Sequence, residues 1–133
     1  MWSVKNSVGN LVEARLNTMD SEAIAACLSA IVQLVAVAPA PVVGILDLSR
    51  VRVFGREDAN QFVSVMREDN PRVKRTAIIV NGDPLFGMQM QRLVRAATSP
   101  RRQVFRMPSQ ALGWLAEVLG DAEIARLRAF ILE

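Results

Sequence analysis

Asp47 and Ser49 follow a charge-free apolar run, Val42–Leu46, and Glu57 and Asp58 open a helical pattern just beyond a short loop. Polar groups at a strand's carboxyl end, followed by a helix start, occupy the place where open α/β sheets carry their sites. Asp47 is the best placed acid or base in the chain, yet no nucleophile–base pair can be named beside it. The chain has no His and no Tyr, and Cys27 is its single cysteine. Imidazole catalysis and zinc sites of the Cys/His type are therefore excluded. The sequence implies no enzyme, no cofactor and no metal. Asp47 then reads as a hydrogen-bonded strand terminator, and Ser49 as a turn residue bonded to local backbone.

Arginine supplies the other candidate chemistry. Arg92, Arg95, Arg101, Arg102 and Arg106 fall in Pro84–Ala116, a stretch without one acidic residue. Such a patch suits a solvated basic face, an anion, or an acidic partner surface. Nucleic acid is the weakest reading, because Phe86 and Phe105 sit at core positions and no aromatic stacking platform accompanies the arginines. Asn81-Gly82-Asp83-Pro84 offers free N–H groups at a helix start, but one glycine is not a phosphate loop and a cap-and-turn function explains all four residues. Met66, Met88, Met90 and Met107 could line an adaptable apolar pocket or simply fill core.

The elements that must hold these residues follow from periodicity. Trp2 and Val4 alternate with polar neighbours, as do Val12, Ala14 and Leu16 across a turn at Ser7-Val8-Gly9-Asn10. This predicts an antiparallel hairpin with one face on the core. Asp20 is expected to cap a helix whose buried stripe is Ile24, Leu28, Ile31 and Val35. Val42–Leu46 and Ala77–Val80 are continuous apolar runs, as in parallel strands covered on both faces. Between them lies a helix with Ala59, Phe62, Val63 and Met66 inward, ending at Asn70-Pro71. A third helix starts at Asp83-Pro84 and buries Phe86, Met90, Leu93 and Ala97. Gln103–Met107 reads as an edge strand. A fourth helix runs from Pro108-Ser109 to Gly120, and Asp121 is expected to cap a fifth carrying Ile124, Leu127 and Ile131.

Bulk properties agree with one domain. At 133 residues, 51% hydrophobic and 22% charged, the chain is long enough to bury its own core. The net charge is +3, and only Lys5 and Lys74 among the 16 basic residues are lysines. Ala23–Leu46 carries no charge, but Gln33, Pro39 and Pro41 divide it into two buried elements, so no membrane span is expected. No secretory signal pattern opens the chain, which reads as cytoplasmic. The oligomeric state is left open.

Asp47-Leu48-Ser49 at a strand end, a Val/Phe loop and an immediate helix together resemble the STAS family, named for sulfate transporters and anti-sigma factor antagonists. Val104-Phe105-Arg106, followed by Gln110-Ala111-Leu112-Gly113-Trp114-Leu115, is similar to the ending of its single-domain branch. The resemblance implies one α/β sandwich over residues 1–133: a mixed sheet, made of an N-terminal antiparallel hairpin and parallel central strands, covered by about five helices. It also implies a non-enzymatic regulatory module with a protein partner. Signalling members of the family carry Asp-Ser-Ser-Gly at the helix start, and phosphorylation of the second serine switches binding. Registering on Asp47-Leu48-Ser49 places that motif on Gly55-Arg56-Glu57-Asp58, with Glu57 at the acceptor position. Glu57 is then either a first-turn acid that steadies the helix or a fixed negative charge. The expected partner surface is Ser49, Arg50, Arg56, Glu57, Asp58 and Arg67. A carrier of a small apolar, lipid-like ligand is the alternative that the resemblance leaves open.

Overall fold

A hairpin begins the chain. Strands β1 (Trp2–Val8) and β2 (Leu11–Leu16) pair antiparallel, and Gly9 takes the left-handed backbone, φ 55°, that their tight turn needs. The computed structural model describes residues 1–133 and continues with α1 (Ser21–Val37), β3 (Val42–Asp47), α2 (Arg56–Asp69), β4 (Val73–Ile79), α3 (Pro84–Ala96), β5 (Arg102–Phe105), α4 (Pro108–Ala116) and α5 (Asp121–Leu132). The five strands lie in sequence order, β1-β2-β3-β4-β5, and every pairing after the hairpin is parallel. The expected mixed α/β sandwich is present. No helix is long and apolar enough to cross a membrane.

Local chemistry starts and stops the helices largely where the pattern indicates. The Asp20 carboxylate accepts from the Ala23 N–H at 2.9 Å, and Asp83 accepts from Leu85 at 2.9 Å with Pro84 in the first turn. Ala38, before Pro39, ends α1 in extended backbone.

Two apolar layers enclose the sheet. On one face, Ile24 and Leu28 of α1, Phe62 and Met66 of α2, and Phe86, Met90 and Leu93 of α3 pack against Leu16 and Ile78. On the other, Ala111 and Leu115 of α4 with Leu127 and Phe130 of α5 cover Leu11, Val43, Ile45, Ala77 and Ile79. Period-two alternation along β3 and β4 sends successive side chains to these two layers.

The structure corrects five expectations. Strand β2 is not open on one face: Glu13 is 1% exposed, because α5 lies over the charged side of the alternation. Strand β4 starts at Val73, four residues before the apolar run, with Thr76 facing Gly44 and Arg75 lying over Trp114. Strand β5 ends at Phe105, short of Met107. Helix α4 ends at Ala116, and Gly120 rather than Asp121 is the cap of α5; the Glu123 carboxylate accepts the Gly120 N–H at 2.9 Å.

Candidate functional site

Asp47 ends β3 with both carboxylate oxygens hydrogen-bonded. The Ser49 N–H donates to one carboxylate oxygen at 2.9 Å, and Arg15 Nε donates to the other at 3.0 Å. Burial acts to raise the Asp47 carboxyl, but the Ser49 hydroxyl and N–H together with Arg15 outweigh it and hold the group below its usual range. Arg15 is itself fixed by the Phe130 carbonyl at 2.8 Å and by the Phe130 ring, 4.2 Å away. This is a structural network that favours the ionised form of the carboxylate.

The loop after β3 is anchored from beneath. Leu48, Val51 and Phe54 point inward, at 3% exposure or less. The Asn81 amide donates to the Val51 carbonyl at 2.7 Å and the Ser49 carbonyl at 3.3 Å. Gln89 of α3 clasps the Phe54 backbone twice: its oxygen accepts the Phe54 N–H at 2.9 Å, and its amide donates to the Phe54 carbonyl at 2.8 Å. The Phe54 ring packs on Phe62 and Phe86 at centroid distances of 4.7 and 5.6 Å. With its apolar residues turned down, the loop presents Arg50, Arg52, Val53 and Gly55 outward, and Arg56 and Glu57 continue that surface into α2.

Helix α2 then sorts its side chains by spacing. Arg56, Asn60, Val63 and Arg67 recur along one face, and they form a wall of a groove of about 710 Å³ whose opposite wall is Gln89, Arg92, Leu93 and Ala96 of α3. Arg67 spans the groove to the Ala96 carbonyl at 2.7 Å. Glu57 is exposed in the first turn, whereas Asp58 is half-buried and accepts from the Ser21 hydroxyl at 3.2 Å. The remaining partner candidates, Ser49 and Arg50, lie beside Asp47 over a smaller polar hollow toward Phe130 and Glu133.

The basic stretch does not form one patch. Arg92 lines the groove, Arg95 is exposed at the end of α3, and Arg106 is exposed beside Gly87. Arg101 is exposed and donates to the Val73 carbonyl at 3.1 Å. Arg102 is 6% exposed and donates to the Ser99 hydroxyl at 2.9 Å and to Asn70, which takes it out of any surface site. The methionines do not share a pocket either: Met66 and Met90 are buried, while Met88 and Met107 are exposed. Of these only Met66 lines the internal cavity, about 60 Å³, between the sheet and α1 and α2. A cavity that takes up benzene holds about 150 Å³, so no lipid-sized ligand fits there without rearrangement. No three His, Cys, Asp or Glu side chains converge to hold a metal.

Against known proteins, no family model and no curated protein matches the chain. A solved structure does: the anti-sigma factor antagonist SpoIIAA in its unphosphorylated form superposes with a TM-score of 0.62, over 90% of this chain and all of the other, at 14% identity. The fold is that of SpoIIAA. This agrees with the STAS-type resemblance carried by the strand-end and C-terminal segments. The features missing from the sequence reading are contacts made at a distance, above all the Gln89 clasp. Its signal was present, since position 89 falls next to Met90 and three residues after Phe86, on the buried stripe of α3, where a polar side chain needs a partner.

Proposed function

We propose that this protein is a non-enzymatic regulatory module of STAS type. It works in the cytoplasm by protein–protein contact through the loop after β3 and the start of α2. The observation that carries this reading is the anchored loop itself. Two side-chain amides, Asn81 and Gln89, fix a segment whose exposed residues are Arg50, Arg52, Val53, Arg56 and Glu57. A surface held in one conformation before binding spends less entropy on docking. Val53, 43% exposed, gives it an apolar point among charges.

Under this reading the module has no phosphorylation switch at the helix start. Glu57 stands in the first turn of α2 as a constant single negative charge, which the helix dipole favours by about 0.3–1 kcal/mol. A phosphoserine would carry about −1.5 to −2 charges and add three acceptor oxygens. Partner binding is therefore constitutive, set by concentration and not by a kinase acting at this position.

The test is affinity capture from native lysate with the wild-type chain and an Arg56→Ala/Glu57→Ala double variant. Both side chains are exposed, so the variant keeps its fold. The expected result is a specific partner recovered by the wild type and lost by the variant. Equal recovery by both would remove the loop and helix start as the contact surface.

A further inference from the structure

The partner surface has a chemistry that narrows what docks on it. Helix α2 carries four acids, Glu57, Asp58, Glu68 and Asp69, against two arginines, and the arginines keep to one face. Arg56, Asn60, Val63 and Arg67 form the row that faces the groove. Glu57, Gln61, Ser64 and Glu68 form the adjacent row, each one residue further round, and none of them lines it. The opposing wall comes from α3, inside the acid-free stretch, and adds Arg92. No carboxylate lines the groove, and none of the protein's ion pairs uses Arg56, Arg67 or Arg92. Three guanidinium groups thus face one concave space without an internal counter-charge. Between them Val53, Val63 and Ala96 offer apolar contact beside the polar Asn60, and Leu93 lies buried beneath.

We infer that the α2–α3 groove seats an acidic amphipathic helix of a protein partner, a conclusion that rests on the interaction-module reading above. Arg56 and Arg67 stand about 16 Å apart along α2, from the rise per residue. Arg92 faces them from the other wall. A helix with an apolar stripe on Val53, Val63 and Ala96 would set carboxylates against the two ends and the far wall, the helix-in-groove mode of recognition. Bidentate guanidinium–carboxylate pairing gives the contact direction as well as attraction. Of the five N–H donors on Arg67, one is used on the Ala96 carbonyl. Single-stranded nucleic acid fits less well, because the aromatic nearest the groove, Phe54, is 3% exposed and offers no face for stacking. A membrane fits less well because the cations line a concavity and do not stand on a protruding face.

The probe is a fluorescent helix-forming peptide of Glu, Leu and Ala, about four turns long, with Leu on one stripe and Glu beside it. Its counterpart has Lys in place of every Glu. Anisotropy titrations use the full chain and the Arg56→Glu/Arg92→Glu variant, whose two replaced side chains make no internal ion pair; circular dichroism confirms that it is folded. The expected result is saturable binding of the Glu peptide, weakened about tenfold or more in the variant and by added salt, with no binding of the Lys peptide. The inference is overturned if the Glu peptide does not bind at low salt, if the Lys peptide binds equally, or if the variant binds as well as wild type. Tighter binding of a single-stranded oligonucleotide or of phosphatidylserine vesicles also overturns it. The two readings separate in one further comparison. A captured partner that requires Arg56 and Glu57 but tolerates Arg92→Glu leaves the module intact and removes the groove.

Discussion

Burial decides what the ionisable side chains of this protein can do, and Asp69 shows it most clearly. It sits at the end of α2, 5% exposed, on the lining of the internal cavity. Desolvation pushes its carboxyl from 3.8 up to about 6; Arg102 opposes the shift and Glu68 adds to it. Because the folded-state value lies above the unfolded one, the stabilising contribution is complete below about pH 3.8 and is lost as pH rises through about 6. At neutral pH the folded chain therefore carries a buried charge at a cost of order 3 kcal/mol, from about 1.4 kcal/mol per pKa unit. Asp69→Asn keeps the shape and removes the titration. In thermal melts between pH 7.5 and 4.5, wild type is expected to gain on Asp69→Asn as pH falls through about 6; a constant gap across the range would refute the assignment. Cys27 obeys the same rule without consequence for function. At 1% exposure its thiol is pushed up to about 11, so it stays protonated and serves as the small core filler its Ala- and Leu-rich surroundings imply.

At the scale of elements, the pairing of β2 with α5 is the contact that local pattern could not show. Glu13 and Arg15 alternate with apolar residues, and alternation of that kind ordinarily marks a strand with one wet face. Here the charges are matched from above. Arg126 Nε donates to both Glu13 oxygens at 3.0 and 2.9 Å, and a second nitrogen reaches Oε1 at 2.6 Å, across 113 residues of sequence. At the turn end of the same strand, Glu123 accepts the Asn10 N–H at 2.7 Å; a β-carbon on Gly9 would fall 2.4 Å from that carboxylate. Removing one partner of a buried pair strands the other charge, whereas replacing both with apolar groups is often close to neutral. Arg126→Ala is accordingly expected to lower the urea unfolding midpoint by stranding buried Glu13, and Glu13→Leu/Arg126→Met to recover most of the loss. If the double variant is as unstable as Arg126→Ala, Glu13 matters for something other than its unpaired charge. The helix starts at Asp20 and Asp83 were legible because a cap is a contact between near neighbours. The early start of β4 was not, because Arg75 and Thr76 acquire their places only from Gly44, Trp114 and Glu117, distant in sequence.

The whole molecule is a sheet closed by two unequal layers, and the order of its elements, more than their composition, is what it has in common with the SpoIIAA fold at 14% identity. Order and apolar runs were readable along the chain, so the architecture was too. The groove was readable only in pieces: Arg56 and Arg67 belonged to one expected surface and Arg92 to another, and only the packing of α2 beside α3 makes them one. The layers divide the work. Helices α1 to α3 form one core layer, with α2 and α3 also lining the groove, while α4 and α5 cover the far face and complete the charge network. Deleting residues 121–133 should therefore spare the groove's own side chains yet expose Leu11, Val43 and Ile45 and leave Glu13 without Arg126. It also removes the Phe130 carbonyl and ring that fix Arg15 against Asp47, so the damage reaches the strand end that carries the loop. The shortened chain is expected to lose its cooperative melting transition and to bind a hydrophobic dye, as states without fixed packing do. A cooperative transition within about 5 °C of the full chain would mean that α5 contributes little more than about 1 kcal/mol. In that case the loop and groove would stand on the α1–α3 layer alone.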